Sequence, residues 1–146
     1  MDVTDTTVFT DFTDVYRLFL AKITNCRYLQ LTEDELTDEL ETLLKIGLAR
    51  FPQLDAEPSY ITKQFSRELT LLEQDILSLF MVVGFISRFI ASTTLLSQSL
   101  STKDFAMYSQ ANHLKELMEA KKSAEKEALY WTTRYSTISM IESGGF

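Results

Sequence analysis

The chain has little of what would fix its fold through cross-links or hold a metal. Of its 146 residues only Cys26 is a cysteine, so no internal disulfide can form and the fold does not depend on an oxidising compartment. A single histidine leaves too few ligands for an ordinary zinc site. Four glycines and two prolines are few, and Leu, Ala, Glu and Lys dominate the second half, which favours helices.

Basic residues are also in the minority, with 14 Lys and Arg against 21 Asp and Glu and a formal charge of −7. Residues 1–58 contain 5 basic and 12 acidic residues, whereas 59–101 contain 3 and 3 and 102–146 contain 6 and 6. The acidic excess is therefore N-terminal. Because neutralising phosphates needs a basic surface, we do not expect general or sequence-specific affinity for nucleic acid.

Targeting signals and long apolar runs are not evident either. The first residues, MDVTDTTVFTDF, are acidic and do not have the charged and apolar regions of a secretory signal. The most apolar run, ILSLFMVVGFISRFIA (76–91), is short for a bilayer and contains Arg88. We therefore expect a buried core helix, no membrane span and a soluble intracellular protein.

Apolar spacing and helix caps predict an all-α bundle of about four helices in a single domain, 1–146. Helix 1 covers FTDVYRLFLAKI, with Thr10 or Thr13 as its N-cap. Helix 2 begins at a capping box in which Thr32 is followed three residues later by Glu35, and it ends near Arg50 and Pro52.

Helix 3 begins at a second capping box, Thr70 with Glu73, and is expected to end near Ser92. Residues 1–100 thus contain helices 1–3 and the irregular loop 52–69. That loop contains two prolines and predicts a short hairpin around Tyr60–Phe65. Gly84, inside helix 3, is expected to permit close helix packing.

One helical pattern without Gly or Pro covers residues 101–136. A helix of some 35 residues is ~50 Å long, more than a small bundle needs. Residues 137–146 contain two glycines and are expected to leave the helix as a C-terminal extension. One face of the helix is a seam at spacings of three and four residues: Met107, Ala111, Leu114, Leu117, Lys121, Ala124, Ala128, Trp131, Tyr135 and Ile138.

The distal half of that seam has two interpretations. Ala124 and Ala128 admit a close neighbour, and Trp131 and Tyr135 are residue types that anchor interfaces, which favours contact with another subunit. The alternative is that the helix packs back onto its own bundle, since amphipathic helices usually serve their own core.

The sequence does not predict an enzyme, a metal site or a cofactor. His113 lies off the seam without a second histidine, and neither it nor Cys26 has a catalytic signature around it. The acidic run at 33–41 does not have the loop pattern of an EF-hand and is better explained as a solvated helix face. Nucleophile-elbow, zinc-protease, Cys-x-x-Cys and phosphate-loop motifs do not occur.

The segment DILSLFMVVGFISRFIASTTLLSQSLSTKDFAMYSQANHLKELMEAKK resembles a group of proteins from tailed phages and prophages of Firmicutes. In that group a buried MVV-type helix precedes an ST-LL-Q turn and a KDF–YSQANHLKEL helix start. The matching residues are Met81, Val82, Val83, Ser92, Thr93, Leu95, Leu96, Gln98, Lys103, Asp104, Phe105, Tyr108, Ser109, Gln110, Ala111, Asn112, His113, Leu114, Lys115, Glu116 and Leu117. VYRLFLAKI and LTEDELTDEL look similar as well, and the similarity is weakest over 52–69 and the tail.

The group is identified as virion neck proteins, the head–tail connector or adaptor family. The resemblance implies a helical subunit in a dodecameric ring beneath the portal, which joins head to tail and continues the DNA channel without sequence-specific binding. It implies a virion protein assembled in the host cytoplasm, with portal and stopper or tail proteins as partners. The C-terminal extension would dock onto the portal.

Two sets of residues are assigned on this hypothesis. The residues expected at subunit or partner interfaces are Ala124, Ala128, Trp131, Tyr135, Ile138, Met140 and Phe146. The acidic residues expected to face a DNA channel, where like charge lets the genome slide, are Glu33, Asp34, Asp38 and Glu41. Two alternatives stay open: a tail-completion or stopper protein of the same neck, and a small helical regulator that binds another protein.

Overall fold

The computed structural model describes the backbone of residues 8–23, 32–99 and 104–142, and the side chains of 8–23, 32–91 and 114–142. The elements are α1 (Phe12–Lys22), α2 (Glu33–Arg50), β1 (Pro58–Ser59), β2 (Gln64–Phe65), α3 (Leu71–Ser99) and α4 (Asp104–Glu142). This confirms the all-α class and the long C-terminal helix. At 1.5 Å per residue α4 is about 58 Å long.

Helix α3 is the centre of the fold, because α1, α2 and α4 each pack against it. Its residues Ile76, Leu77 and Val83 have no exposed surface. At Gly84, an added Cβ atom would lie 2.8 Å from Ile46 Cγ2 of α2. The glycine therefore permits the close approach that the sequence predicted, and Gly47 does the same from the α2 side, with Met81 Cγ at 3.1 Å.

By length and composition alone, Leu71–Ala91 would also serve as a membrane span, with 21 residues and a mean hydropathy of 1.6. The argument that this region is too short, which considered only 76–91, is therefore wrong. Half of that window is buried inside the protein. The core helix of a soluble protein passes the same test, and the burial of Ile76 and Leu77 is typical of such a helix.

Both capping boxes are confirmed. The Thr32 hydroxyl accepts the Glu35 N–H at 3.2 Å, and the Thr32 N–H donates to Glu35 Oε2 at 3.0 Å. In the second box the Thr70 hydroxyl accepts the Glu73 N–H at 3.1 Å, and the Thr70 N–H donates to Glu73 Oε1 at 2.8 Å. Helix α2 ends at Arg50, as the sequence predicted.

The predicted cap of α1 is wrong. Asp11 occupies the N-cap without a side-chain cap hydrogen bond, and Thr13 lies inside the helix. The Thr10 hydroxyl is used elsewhere, since it accepts the Leu69 N–H at 2.7 Å. A long-range hydrogen bond has taken the group that local rules assigned to the cap.

Two helices are longer than predicted. Helix α3 continues beyond Ser92 to Ser99, and α4 continues beyond residue 136 to Glu142, so residues 137–142 are helical rather than an extension. These segments contain serine and threonine but no glycine or proline, and the helix penalty of such residues is small. The Thr137 hydroxyl also donates to the Thr133 carbonyl at 3.1 Å within the helix.

The predicted hairpin is present as the antiparallel pair β1–β2, in which Pro58 pairs with Phe65 and Ser59 with Gln64. Lys63 closes its turn in the left-handed region (φ 58°), and its N–H donates to the Ser59 carbonyl at 2.8 Å. The Phe12 N–H donates to the Lys63 carbonyl at 2.9 Å. The hairpin therefore holds the start of α1 in place.

Candidate protein interface on the long helix

The inner face of α4 belongs to the protein's own core. Ala128 has no exposed surface, and Ala124 and Thr132 are buried beside it where α4 packs on α3. Small side chains at these positions let the two helices approach closely. The hypothesis that Ala124 and Ala128 await another subunit is therefore wrong, because α3 already covers them.

The two aromatic residues of the seam also contact the protein's own fold. The Tyr135 ring packs edge-on against Phe51, with ring centroids 5.3 Å apart, and its hydroxyl donates to Glu73 Oε2 at 2.8 Å. Trp131 is half-buried against the core. Tyr135 is therefore a core-edge residue rather than an open anchor, and the alternative that α4 packs back onto its own bundle is the one that its contacts support.

Glu73 is the centre of a polar network that joins α3, α4 and the 52–69 loop. The Arg67 guanidinium donates to both carboxylate oxygens, at 2.9 and 2.6 Å, in addition to the bonds from Thr70 and Tyr135. Arg67 Nε also donates to the Asp55 carbonyl at 2.8 Å. Sequence reasoning missed this network, although Arg67 stands three residues before the Thr70 cap.

The network holds Glu73 ionised. Burial, which leaves Glu73 only 3% exposed, raises the pKa of its carboxyl, but the bonds from Arg67, Thr70 and Tyr135 outweigh it and lower the pKa to about 2. Burial and the hydrogen bond to Glu73 raise the pKa of Tyr135 to about 12. A carboxylate with so low a pKa is a poor general base at neutral pH, so the network is suited to holding elements together.

Outside the inner face, α4 exposes large apolar side chains. Leu129 is 67% exposed and Tyr130 56% exposed, and Met118 and Ile141 are exposed to a similar degree. Sequence reasoning missed these four because they lie off the seam. The predicted interface residues Ile138 and Met140 are exposed as well, and Phe146 lies outside the described residues.

These exposed residues form two strips on either flank of α4, because successive helical residues are about 100° apart around the axis. One flank carries what we term the basic strip: Lys115, Met118, Lys122, Lys126 and Leu129. The other flank carries what we term the acidic strip: Glu116, Glu127, Tyr130 and Ile141. Both strips are solvent-exposed, and neither is part of the contact with α3.

The four acidic residues assigned to a channel do not share one environment. Glu33, Asp34 and Asp38 are exposed on α2. The Glu41 side chain is only 17% exposed and accepts a hydrogen bond from Lys63 Nζ at 2.6 Å. Glu41 therefore anchors the hairpin to α2, and its assignment as an exposed channel residue is wrong.

The remaining candidates for chemistry stay without structural support. Cys26 lies outside the described residues, and His113 lies on α4 at a position whose side chain is not described. Among the residues with described side chains, no group of three His, Cys, Asp or Glu is placed to hold a metal ion. The arrangement that the described residues do offer is a surface for binding.

Comparisons of the chain with protein-family models, with curated proteins and with solved structures found no match. The function is therefore argued from the exposed flanks of α4 and from the sequence resemblance. The flanks speak to the kind of activity, and the resemblance to the biological setting.

Proposed function

We propose that the protein is a structural subunit that acts by binding other proteins through α4 and performs no chemistry. The observation that carries this proposal is the exposure of Leu129 and Tyr130 on a helix whose inner face is already packed. Large apolar and aromatic side chains on a surface are typical of protein interfaces, where they become buried on association.

The proposed setting is the neck of a tailed phage, as a head–tail connector that forms a ring, dodecameric in the family, beneath the portal. The sequence resemblance supports this setting, and three features are compatible with it. The subunit is helical, α4 is about 58 Å long, and Glu33, Asp34 and Asp38 are exposed acids of the kind that keep DNA from adhering to a channel wall. The protein would assemble in the host cytoplasm and reside in the virion.

Two other functions would use the same surface. A tail-completion or stopper protein would meet a different ring of the same neck. A small regulator would bind a single host or phage protein through α4. The exposed flanks of α4 serve all three functions, and only the identity of the partner separates them.

The direct test is to mix the purified protein with the portal protein of the same genome and to image the product by electron microscopy. Portals that carry an additional symmetric layer would support the connector function. Bare portals beside unbound protein would overturn it and favour a tail-side factor or a regulator.

A matched pair of variants tests the role of α4 in the same experiment. Leu129→Glu places a charge on the exposed flank, and we expect the additional layer to be lost. Leu71→Glu places the same charge on α3 at a residue that is also highly exposed, and the layer should form as in the wild type. Equal loss in both variants, or in neither, would exclude α4 as the binding element.

A further inference from the structure

The two flanks of α4 differ in charge in a way that makes them complementary to each other. The basic strip presents Lys115, Lys122 and Lys126, whereas the acidic strip presents Glu116 and Glu127. Each strip also contains a large exposed apolar or aromatic residue, Leu129 on the first and Tyr130 on the second. Arg134 is the basic residue that lies on the acidic flank, at its C-terminal end.

The two strips also share one spacing. Lys115 and Lys126 are separated by 11 residues, and so are Glu116 and Glu127. Eleven residues complete about three helical turns, so residues at this spacing stay on one flank of a straight helix. Each principal residue of the basic strip has its counterpart one position later on the acidic strip: Lys115 with Glu116, Lys126 with Glu127, and Leu129 with Tyr130.

From this complementarity we propose that copies of the protein associate head to tail through α4, with the basic strip of one copy against the acidic strip of the next. Two parallel α4 helices, in register within about one residue, place Lys126 opposite Glu127 and Leu129 opposite Tyr130. The occupant of each strip is a second copy of this chain. The inference rests on the proposed function, since it names the contact by which the subunit would form a ring.

A groove beside Leu129 offers a place for the aromatic ring of the neighbour. It has a volume of about 240 Å³, and Phe80, Val83 and Leu129 form its apolar part while Arg50, Gln53 and Glu125 supply polar groups. Tyr130 is held outward beside Trp131, with ring centroids 5.1 Å apart. In the proposed contact Tyr130 of one copy enters this groove on the next copy, and its hydroxyl meets the polar groups.

The geometry of the contact determines what kind of assembly forms. A contact between two different surfaces of the same chain is heterologous, so each copy keeps one strip open for the next. Such contacts close into a ring when the rotation between copies divides a full turn, and otherwise continue as a filament. A contact of the basic strip with itself is disfavoured, because it would bring three lysines of each copy together.

The test uses two neighbouring positions and the same substitution. Leu129→Glu disables the basic strip by placing a carboxylate opposite Tyr130 and Glu127 of the next copy. Tyr130→Glu disables the acidic strip by sending a carboxylate into the groove beside Glu125. Both residues are exposed, so we expect both variants to keep the helical content of the wild type by circular dichroism.

Sedimentation velocity over micromolar to millimolar concentrations then reads the contact. The wild type should associate beyond a dimer as concentration rises, and each variant by itself should stay at the monomer mass of 16.8 kDa. An equimolar mixture of the two variants should give a species of about twice that mass, because one intact strip remains on each partner and the two disabled strips repel each other.

Every other outcome overturns the inference. A wild type that stays monomeric has no such contact, a variant that associates like the wild type removes its strip from the interface, and a mixture that stays monomeric excludes a head-to-tail arrangement. The proposed function fails separately: a wild type that adds a layer to portals while the variants still associate keeps the function and loses this contact. A wild type that neither associates nor binds portals loses both.

Discussion

The same four-residue motif opens α2 and α3, and the two copies have very different surroundings. Both have a threonine hydroxyl that accepts the N–H of the glutamate three residues later, with similar bond lengths of 3.2 and 3.1 Å. Thr32 and Glu35 are exposed to solvent. Glu73 is buried, and Arg67 and Tyr135 bind its carboxylate in addition to its own cap.

The difference separates a local contribution from a tertiary one. A capping box stabilises the start of its helix wherever it occurs, by satisfying backbone N–H groups that would otherwise have no partner. At Glu73 the same carboxylate also joins the 52–69 loop to α4. The first box therefore acts on one helix, whereas the second acts on the whole fold.

The largest difference should appear when each glutamate becomes glutamine, which can still complete a capping box. Glu73→Gln removes the charge that Arg67 faces and should lower the free energy of unfolding by about 3 kcal/mol, as expected when a buried ion pair loses one partner. Glu35→Gln should lower it by less than ~0.5 kcal/mol. Urea denaturation of the two variants measures both values, and equal losses would mean that the tertiary network contributes nothing.

Acid should weaken the second box selectively. The pKa of Glu73 is lowered from 4.5 to about 2 in the folded protein, so its contribution is present above pH 4.5 and is lost as the pH falls toward 2. This contribution is about 3 kcal/mol in full. Stability curves against pH should show the loss in the wild type and in Glu35→Gln but not in Glu73→Gln. Parallel curves for all three proteins would contradict the lowered pKa of Glu73.

Removal of the Tyr135 hydroxyl should have an intermediate effect. Tyr135→Phe keeps the ring against Phe51 but deletes a hydrogen bond to a carboxylate, and should lower the free energy of unfolding by about 1.5 kcal/mol. Tyr130→Phe makes the same chemical change on the exposed flank and should alter stability by less than ~0.3 kcal/mol. Similar effects at the two tyrosines would show that the bond from Tyr135 to Glu73 is not a stabilising contact.

The smallest effect isolates the local part of the motif. Thr32→Ala deletes the exposed cap of α2 and should lower the free energy of unfolding by about 0.5 kcal/mol. Thr32→Ser keeps a hydroxyl in the same place and should stay within a few tenths of a kcal/mol of the wild type. Thermal denaturation followed by circular dichroism reports both. A loss at Thr32→Ala as large as that at Glu73→Gln would remove the distinction between the two boxes.

The ends of the elements show where sequence reasoning stops. Helix α2 was predicted at both ends because its capping box and the proline after Arg50 act within a few residues. Helices α3 and α4 were predicted too short, since serine and threonine disfavour a helix only slightly and packing of α4 on α3 outweighs that preference. Thr10 was assigned as a cap, but its hydroxyl binds Leu69, which is 59 residues away in the chain.

The same limit applies to the candidate interface. The seam on α4 was located correctly by its spacing, but spacing cannot say whether a face meets its own core or another molecule. The burial of Ala128 and the bond from Tyr135 to Glu73 assign it to the core. Leu129 and Tyr130 lie off the seam, and only their exposure in the folded chain marks them as candidates for contact with a partner.

The sequence by itself determined the helical class, both capping boxes, the hairpin and the close packing at Gly84, because each depends on neighbours in the chain or on the size of one side chain. Only the tertiary structure decided which face of α4 is buried, which of the two boxes is buried, and that Glu41 holds the hairpin. These depend on which distant residues meet, and a face that is apolar by its spacing has no fixed partner until the other helices are in place.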